Sequence, residues 1–247
     1  MNQELEELQV RIRGDDPMGR VAAMGQMATL NSRGVNCSQV AAIVFTLNGY
    51  MTPNYIRGRR YANMIVESYI EENKSLVSPA IQLLMADFDK PDPLMKGIAV
   101  REAGRIVTEE NVEQILPIIT RGATFDDPYV HKSAALAILQ LYQTRASFIE
   151  KYNLTQTLKT LVEDSNPTVA ANAVSALTEI NMNRSKPIFT PTSSTVNNLL
   201  AAMEQTNEWA QIEILDFVAT YKPSDGQDAR GFIARVTPRL SHANPAV

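Results

Sequence analysis

Apolar positions recur in steps of three and four along much of this chain, and between residues 124 and 180 the pattern repeats itself. Asp127-Pro128-Tyr129-Val130 returns as Asn166-Pro167-Thr168-Val169. After each, Val130/Val169, Ala134/Ala173, Ala137/Ala176, Ile138/Leu177 and Leu141/Ile180 share one offset of 39 residues. Such steps put the apolar residues on one stripe of an α-helix, the face a helix buries. The oxygen of an Asp or Asn side chain accepts from the free N–H groups of a first helical turn, and a proline just after it forfeits no hydrogen bond. The dipeptide therefore predicts a helix start. Ahead of each start lies a shorter apolar-periodic segment, at 112–122 and 154–163, so each unit reads as helix, turn, helix. Its period falls in the roughly 40-residue range of HEAT and armadillo repeats.

The same marker recurs at Asp16-Pro17, Asp92-Pro93 and Asn244-Pro245, with weaker starts at Pro53-Asn54 and Asn207-Glu208. Successive markers are 36, 40, 35, 39, 41 and 37 residues apart. The predicted helices pair as 3–13 with 17–30, 38–47 with 54–71, 76–87 with 91–107, 112–121 with 128–143, 154–163 with 167–181, and 196–205 with 209–221; a last helix runs to about residue 240. Residues 183–195, with two prolines and many hydroxyls, read as a longer loop between repeats. The expected fold is all-α, a right-handed α–α superhelix of the HEAT/armadillo kind with about six helix pairs and a truncated seventh, forming one solenoid over 1–247. Because Asn244-Pro245 starts a helix at the last residues of the chain, we expect the solenoid to continue past residue 247 and its C-terminal apolar face to be exposed.

Composition narrows the function. A net charge of −4 gives no general attraction to nucleic acid or to an anionic membrane. Cys37 is the single cysteine, so no intrachain disulfide forms and a reducing, cytosolic compartment is expected. The first residues are acidic where a signal peptide is basic and then apolar, and no apolar run approaches transmembrane length. His131 and His242 belong to no metal-binding pattern, and no phosphate-binding glycine loop or nucleophile elbow occurs. His131 reads as a surface or turn residue. The adjacent carboxylates Asp15/Asp16, Asp126/Asp127, Glu71/Glu72 and Glu109/Glu110 read mainly as helix-terminal groups. No enzyme activity, cofactor or metal is expected. Arg57, Arg59 and Arg60 form the one dense basic cluster, read as a solvated face or, alternatively, as a seat for a phosphate group or an acidic partner. Trp209 stands where other repeats carry a small or β-branched residue and reads as buried packing between repeats.

Several long runs point to a known family. Asp126-Asp127-Pro128-Tyr129-Val130 with Lys132 and Ala134-Ala135 is one, and Asp164-Ser165-Asn166-Pro167 with Val169, 171–174 and 176–180 is another. With Glu208-Trp209-Ala210-Gln211-Ile212, Ile214-Leu215-Asp216 and the stretch 235–244, they resemble the beta-adaptins, the large beta subunits of clathrin adaptor complexes. The match is strongest from about residue 90 onward and weak over 1–60. The resemblance implies the N-terminal part of an adaptin trunk. It further implies a non-enzymatic scaffold in vesicle-mediated protein transport that sorts transmembrane cargo, with the other large, medium and small adaptor subunits as partners. Its expected place is cytoplasmic, peripheral on Golgi or endosomal membranes and clathrin-coated vesicles. Clathrin would be bound only through regions that lie outside these residues.

The resemblance also implies recruitment by an Arf-type GTPase through apolar side chains of an early helix pair. The matching positions are Met64, Ser78 and Ile81, with Ser78 standing where the family has a larger aliphatic residue. Phosphoinositide binding in plasma-membrane members uses a lysine-rich first repeat, whereas residues 15–36 here offer Arg20 and Arg33 alone. That favours a Golgi or endosomal role. The repeat pattern by itself also admits a nuclear transport carrier or a coatomer-like coat subunit, and a helical metalloenzyme built on the carboxylates is the remaining rival.

Overall fold

The helix starts form as the dipeptide predicts. Asp16 accepts from the backbone N–H groups of Met18 and Gly19, Asp92 from Leu94, Asp127 from Tyr129 and Val130, and Asn166 from Thr168 and Val169. In each case proline follows at the first helical position, where it needs no donor. Asn207 caps the next start through Ala210 without a proline. Asn244 makes the equivalent bond to the Ala246 N–H, at 3.0 Å.

In a computed structural model the described residues are 2–38 and 53–247; the helix expected over 38–47 lies essentially outside them. The helices are α1 (Asn2–Arg13), α2 (Pro17–Ser32), α3 (Pro53–Tyr69), α4 (Val77–Phe88), α5 (Pro93–Arg105), α6 (Val112–Gly122), α7 (Pro128–Thr144), α8 (Leu154–Val162), α9 (Pro167–Met182), α10 (Ser193–Met203), α11 (Glu208–Val218) and α12 (Gly226–Val236). Short helical turns at Lys74–Leu76, Phe148–Lys151 and Thr237–Ser241 lie between or after them. No strand occurs among the described residues.

The chain divides into two compact units, Met1–Lys90 and Pro91–Val247. In the first, α2 packs against both α1 and α3. In the second, α5, α7, α9 and α11 pack each on the next as one row, while α6, α8 and α10 each fill the angle between two neighbours of that row. This is the α-solenoid plan, in which each repeat buries its apolar face mainly against adjacent repeats.

All ten residues of the repeated stripe, from Val130/Val169 to Leu141/Ile180, are completely buried. The corresponding Met95, Ala99, Ala103 and Ile106 are buried as well. Small residues let α5 and α7 approach closely. A methyl group built on Gly104 would lie 2.7 Å from the Ala137 Cα, and one on Gly97 would lie 2.3 Å from the Tyr129 ring.

Polar side chains tie repeat to repeat at the same period. Gln143 donates to Glu179 at 2.6 Å, Lys151 to Glu113 at 2.9 Å, Arg235 to Asn197 at 2.7 Å and Asn244 to Glu208 at 2.7 Å; each pair is 36 or 38 residues apart. The loop after α9 is pinned rather than loose. Asn181 bonds the Phe189 carbonyl and the Ile188 N–H, both at 2.8 Å, and the Phe189 ring stacks on Phe217.

Candidate partner-binding surfaces

The residues singled out on α3 and α4 do not share one environment. Met64 is 46% exposed and Ser78 is exposed, but Ile81 is buried. Ile81 falls on the inward stripe of α4 with Leu84 and Phe88, at steps of three and four, so the core claims it.

The three arginines are also divided. Residues 57, 59 and 60 diverge around a helix, and Arg57 and Arg60 face solvent while Arg59 is turned inward. Arg59 is not part of a solvated face. Its Nη2 donates to Asp87 Oδ1 at 3.0 Å, and its Nε lies 2.8 Å from Oδ2 without hydrogen-bond alignment. Both side chains are almost fully buried, and Lys90 Nζ joins Asp87 Oδ1 at 2.6 Å. The signal was present in the sequence: Arg59 is in phase with Ala62, Val66 and Ile70, and Asp87 with Ala80, Leu83 and Leu84, all of them buried. Each charge thus occupies an apolar stripe and faces an opposite charge.

Arg57 instead lines an open groove of about 700 Å³ in the first unit, together with Arg11, Arg33, Glu4, Glu7 and Tyr61. Both signs of charge line it. Arg20 is mostly buried and its Nε–H donates to the Gly14 carbonyl.

In the second unit Trp209 is not core: it is 77% exposed. The inward stripe of α11 runs through Gln211, Ile214, Phe217 and Val218, and residue 209, in the first turn, falls outside it. His131 is more engaged than a plain surface residue. Its Nδ1 lies 2.7 Å from Asp164 Oδ2, joining the start of α7 to the turn before α9.

Three carboxylates, Glu102, Glu113 and Asp228, are engaged by neighbouring groups. Glu102 is buried between Arg101 and Arg105, with oxygen–nitrogen distances of 3.1 and 3.7 Å. Hydrogen bonds from Tyr152 and then Lys151 hold the Glu113 carboxyl below its ordinary range. Tyr221, followed by the Ser224 N–H, does the same for Asp228, and the neighbouring carboxylate raises the Tyr221 phenol. Burial pushes the Cys37 thiol up. Among the described residues no three His, Cys, Asp or Glu side chains are grouped to hold a metal, and no helix is long and apolar enough to cross a membrane.

Comparison with known proteins adds what geometry alone does not. The family described as the adaptin N-terminal region matches residues 1–247. AP-1 complex subunit beta-1 of Mus musculus is 31% identical over 245 residues, 99% of this chain and 26% of that protein. AP-1 complex subunit beta of Dictyostelium discoideum is 35% identical over 208 residues, 83% of this chain and 22% of that protein. The chain therefore spans about a quarter of the length of these curated relatives. The crystal structure of an engineered protein is similar in fold, with a TM-score of 0.56 at 16% identity over 96% of this chain and 98% of that one.

Proposed function

The chain belongs to the adaptin N-terminal family, and from that premise we propose that it is the trunk portion of the beta-type large subunit of a clathrin-associated adaptor complex. The family match across residues 1–247 carries this reading, and the identity to AP-1 beta subunits supports the beta assignment. Its work is binding: stacked helix pairs hold surface residues in register for partner subunits, and sorting of transmembrane cargo into vesicles follows from that assembly. It has no catalytic step of its own.

Recruitment to Golgi or endosomal membranes falls to an Arf-type GTPase in its GTP state, which meets the first unit at Met64 and Ser78. The exposure of Met64, an apolar side chain on the surface of α3, supports that position. Ile81, being buried, supports α4 from beneath rather than touching the partner. Ser78 offers a hydroxyl where an aliphatic side chain would bury more apolar area, a difference of about 1–3 kcal/mol.

The test is binding of the chain to an Arf-type GTPase loaded with a non-hydrolysable GTP analogue or with GDP. GTP-selective binding that Met64→Asp abolishes and Ser78→Leu tightens is the expected result. Binding that is indifferent to the nucleotide, or unchanged in Met64→Asp, would overturn the site. Ile81→Asp is unsuitable as a probe, because a carboxylate in that buried position disrupts the helix packing itself.

A further inference from the structure

Trp209 is the only tryptophan of the chain, and it is largely exposed. A large aromatic side chain left exposed forgoes the apolar burial that would stabilise the fold, and exposed aromatic anchors beside a cleft are typical of docking sites. Such a cleft is present. It has a volume of about 380 Å³ and runs between α9 and α11, with Trp209, Ala210 and Glu213 on one side and Thr168, Asn172 and Ser175 on the other.

The two helices that wall it carry charge of one sign. Neither α9 nor α11 contains a lysine or arginine, whereas together they carry Glu179, Glu208, Glu213 and Asp216. Glu179 continues the Asn172, Ser175 stripe by one turn, and Glu213 follows Trp209 at a spacing of four, on the same face of α11. Glu208 and Glu179 accept from Asn244 and Gln143, which are neutral, so their charges are not cancelled. Glu213 makes no ion pair among the described residues. An indole face next to uncompensated carboxylates is the arrangement that attracts a guanidinium or ammonium group, by cation–π contact and charge together. The amide and hydroxyls of Asn172, Thr168 and Ser175 supply donors and acceptors for a peptide backbone.

We infer that the cleft between α9 and α11 is a docking site for an extended, arginine- or lysine-bearing segment of a partner protein, with a cationic side chain laid on Trp209 and directed at Glu213. This site is separate from the GTPase surface of the first unit and does not depend on it.

The single tryptophan makes the test direct. The chain is titrated with a blocked eight-residue peptide alternating arginine and serine, and separately with its glutamate–serine counterpart, while Trp209 emission is followed. A saturable change with the arginine peptide alone is expected. Anisotropy of the fluorescein-labelled arginine peptide then compares variants: Trp209→Ala weakens binding about tenfold and Glu213→Gln about fivefold, with circular dichroism unchanged, Trp209 being exposed and Glu213 half-buried without an ion pair among the described residues. Equal binding of both peptides, no saturable change with either, or full binding by Trp209→Ala would each overturn the inference.

Discussion

The α3–α4 contact of the first compact unit and the α5–α7 contact of the second are closed with different chemistry. In the first, α3 and α4 are joined by a buried ion pair, Arg59 with Asp87, both almost wholly withdrawn from water. In the second, α5 and α7 meet through glycine and alanine, and its Lys151–Glu113 and Arg145–Glu109 pairs lie at the surface. Where that unit buries a carboxylate, Glu102, the arginines beside it reach solvent. One repeated plan thus tolerates two kinds of fastening. A seam of small residues sets helix spacing by steric contact and fails when volume is added. A buried pair sets it by charge and fails when either charge is left alone.

The sharpest way to break this contrast is Asp87→Ala, which strands Arg59 in the interior. It should cost about 3–5 kcal/mol, read from the midpoint of urea unfolding. Replacing both partners, Arg59→Met with Asp87→Leu, should recover most of that; a single variant as stable as the parent would remove the ion pair as the fastener. Next in size is Gly104→Ala, whose new methyl group would crowd the Ala137 backbone. A loss of about 1–3 kcal/mol is expected despite the better helix propensity of alanine. A gain in stability would mean that the α5–α7 seam has room to spare.

Smaller again is Asp127→Ala, which removes the acceptor of two first-turn N–H groups and should cost about 1 kcal/mol in the same measurement. The smallest effect belongs to the surface pairs. Glu113→Gln should leave the melting temperature at pH 7 almost unmoved. The small contribution it makes belongs to neutral pH: because the folded carboxyl titrates below its ordinary value, its stabilisation is present above about pH 4 and is lost as the pH falls through the depressed value. The parent and Glu113→Gln melting curves should therefore converge in acid. A difference that grew as the pH fell would contradict the assignment.

Much of the fold is legible in the sequence, because helix period and capping are local. The Val130/Val169 stripe is buried as its spacing predicts, and the Asp-Pro and Asn-Pro starts cap as their chemistry requires. The site residues were less legible, because a side chain's surroundings depend on neighbouring helices. Arg59 reads as surface by its charge although its helical phase is that of the core, and its partner Asp87 lies in a matching stripe. Trp209 is the converse, a residue type that suggests the interior at a phase that does not. Its position lies off the stripe of Gln211, Ile214 and Phe217. Ile81 has a surface role by resemblance alone, and the apolar period of α4 puts it in the core.

The most direct test of the central claim, that this is a beta-type adaptor subunit, is affinity purification of the tagged full-length protein from its own cells, with stoichiometry of the co-purifying chains measured by mass spectrometry. The account predicts a second large subunit, a medium subunit and a small subunit in equal amounts. Repeated recovery of the protein without them would contradict it.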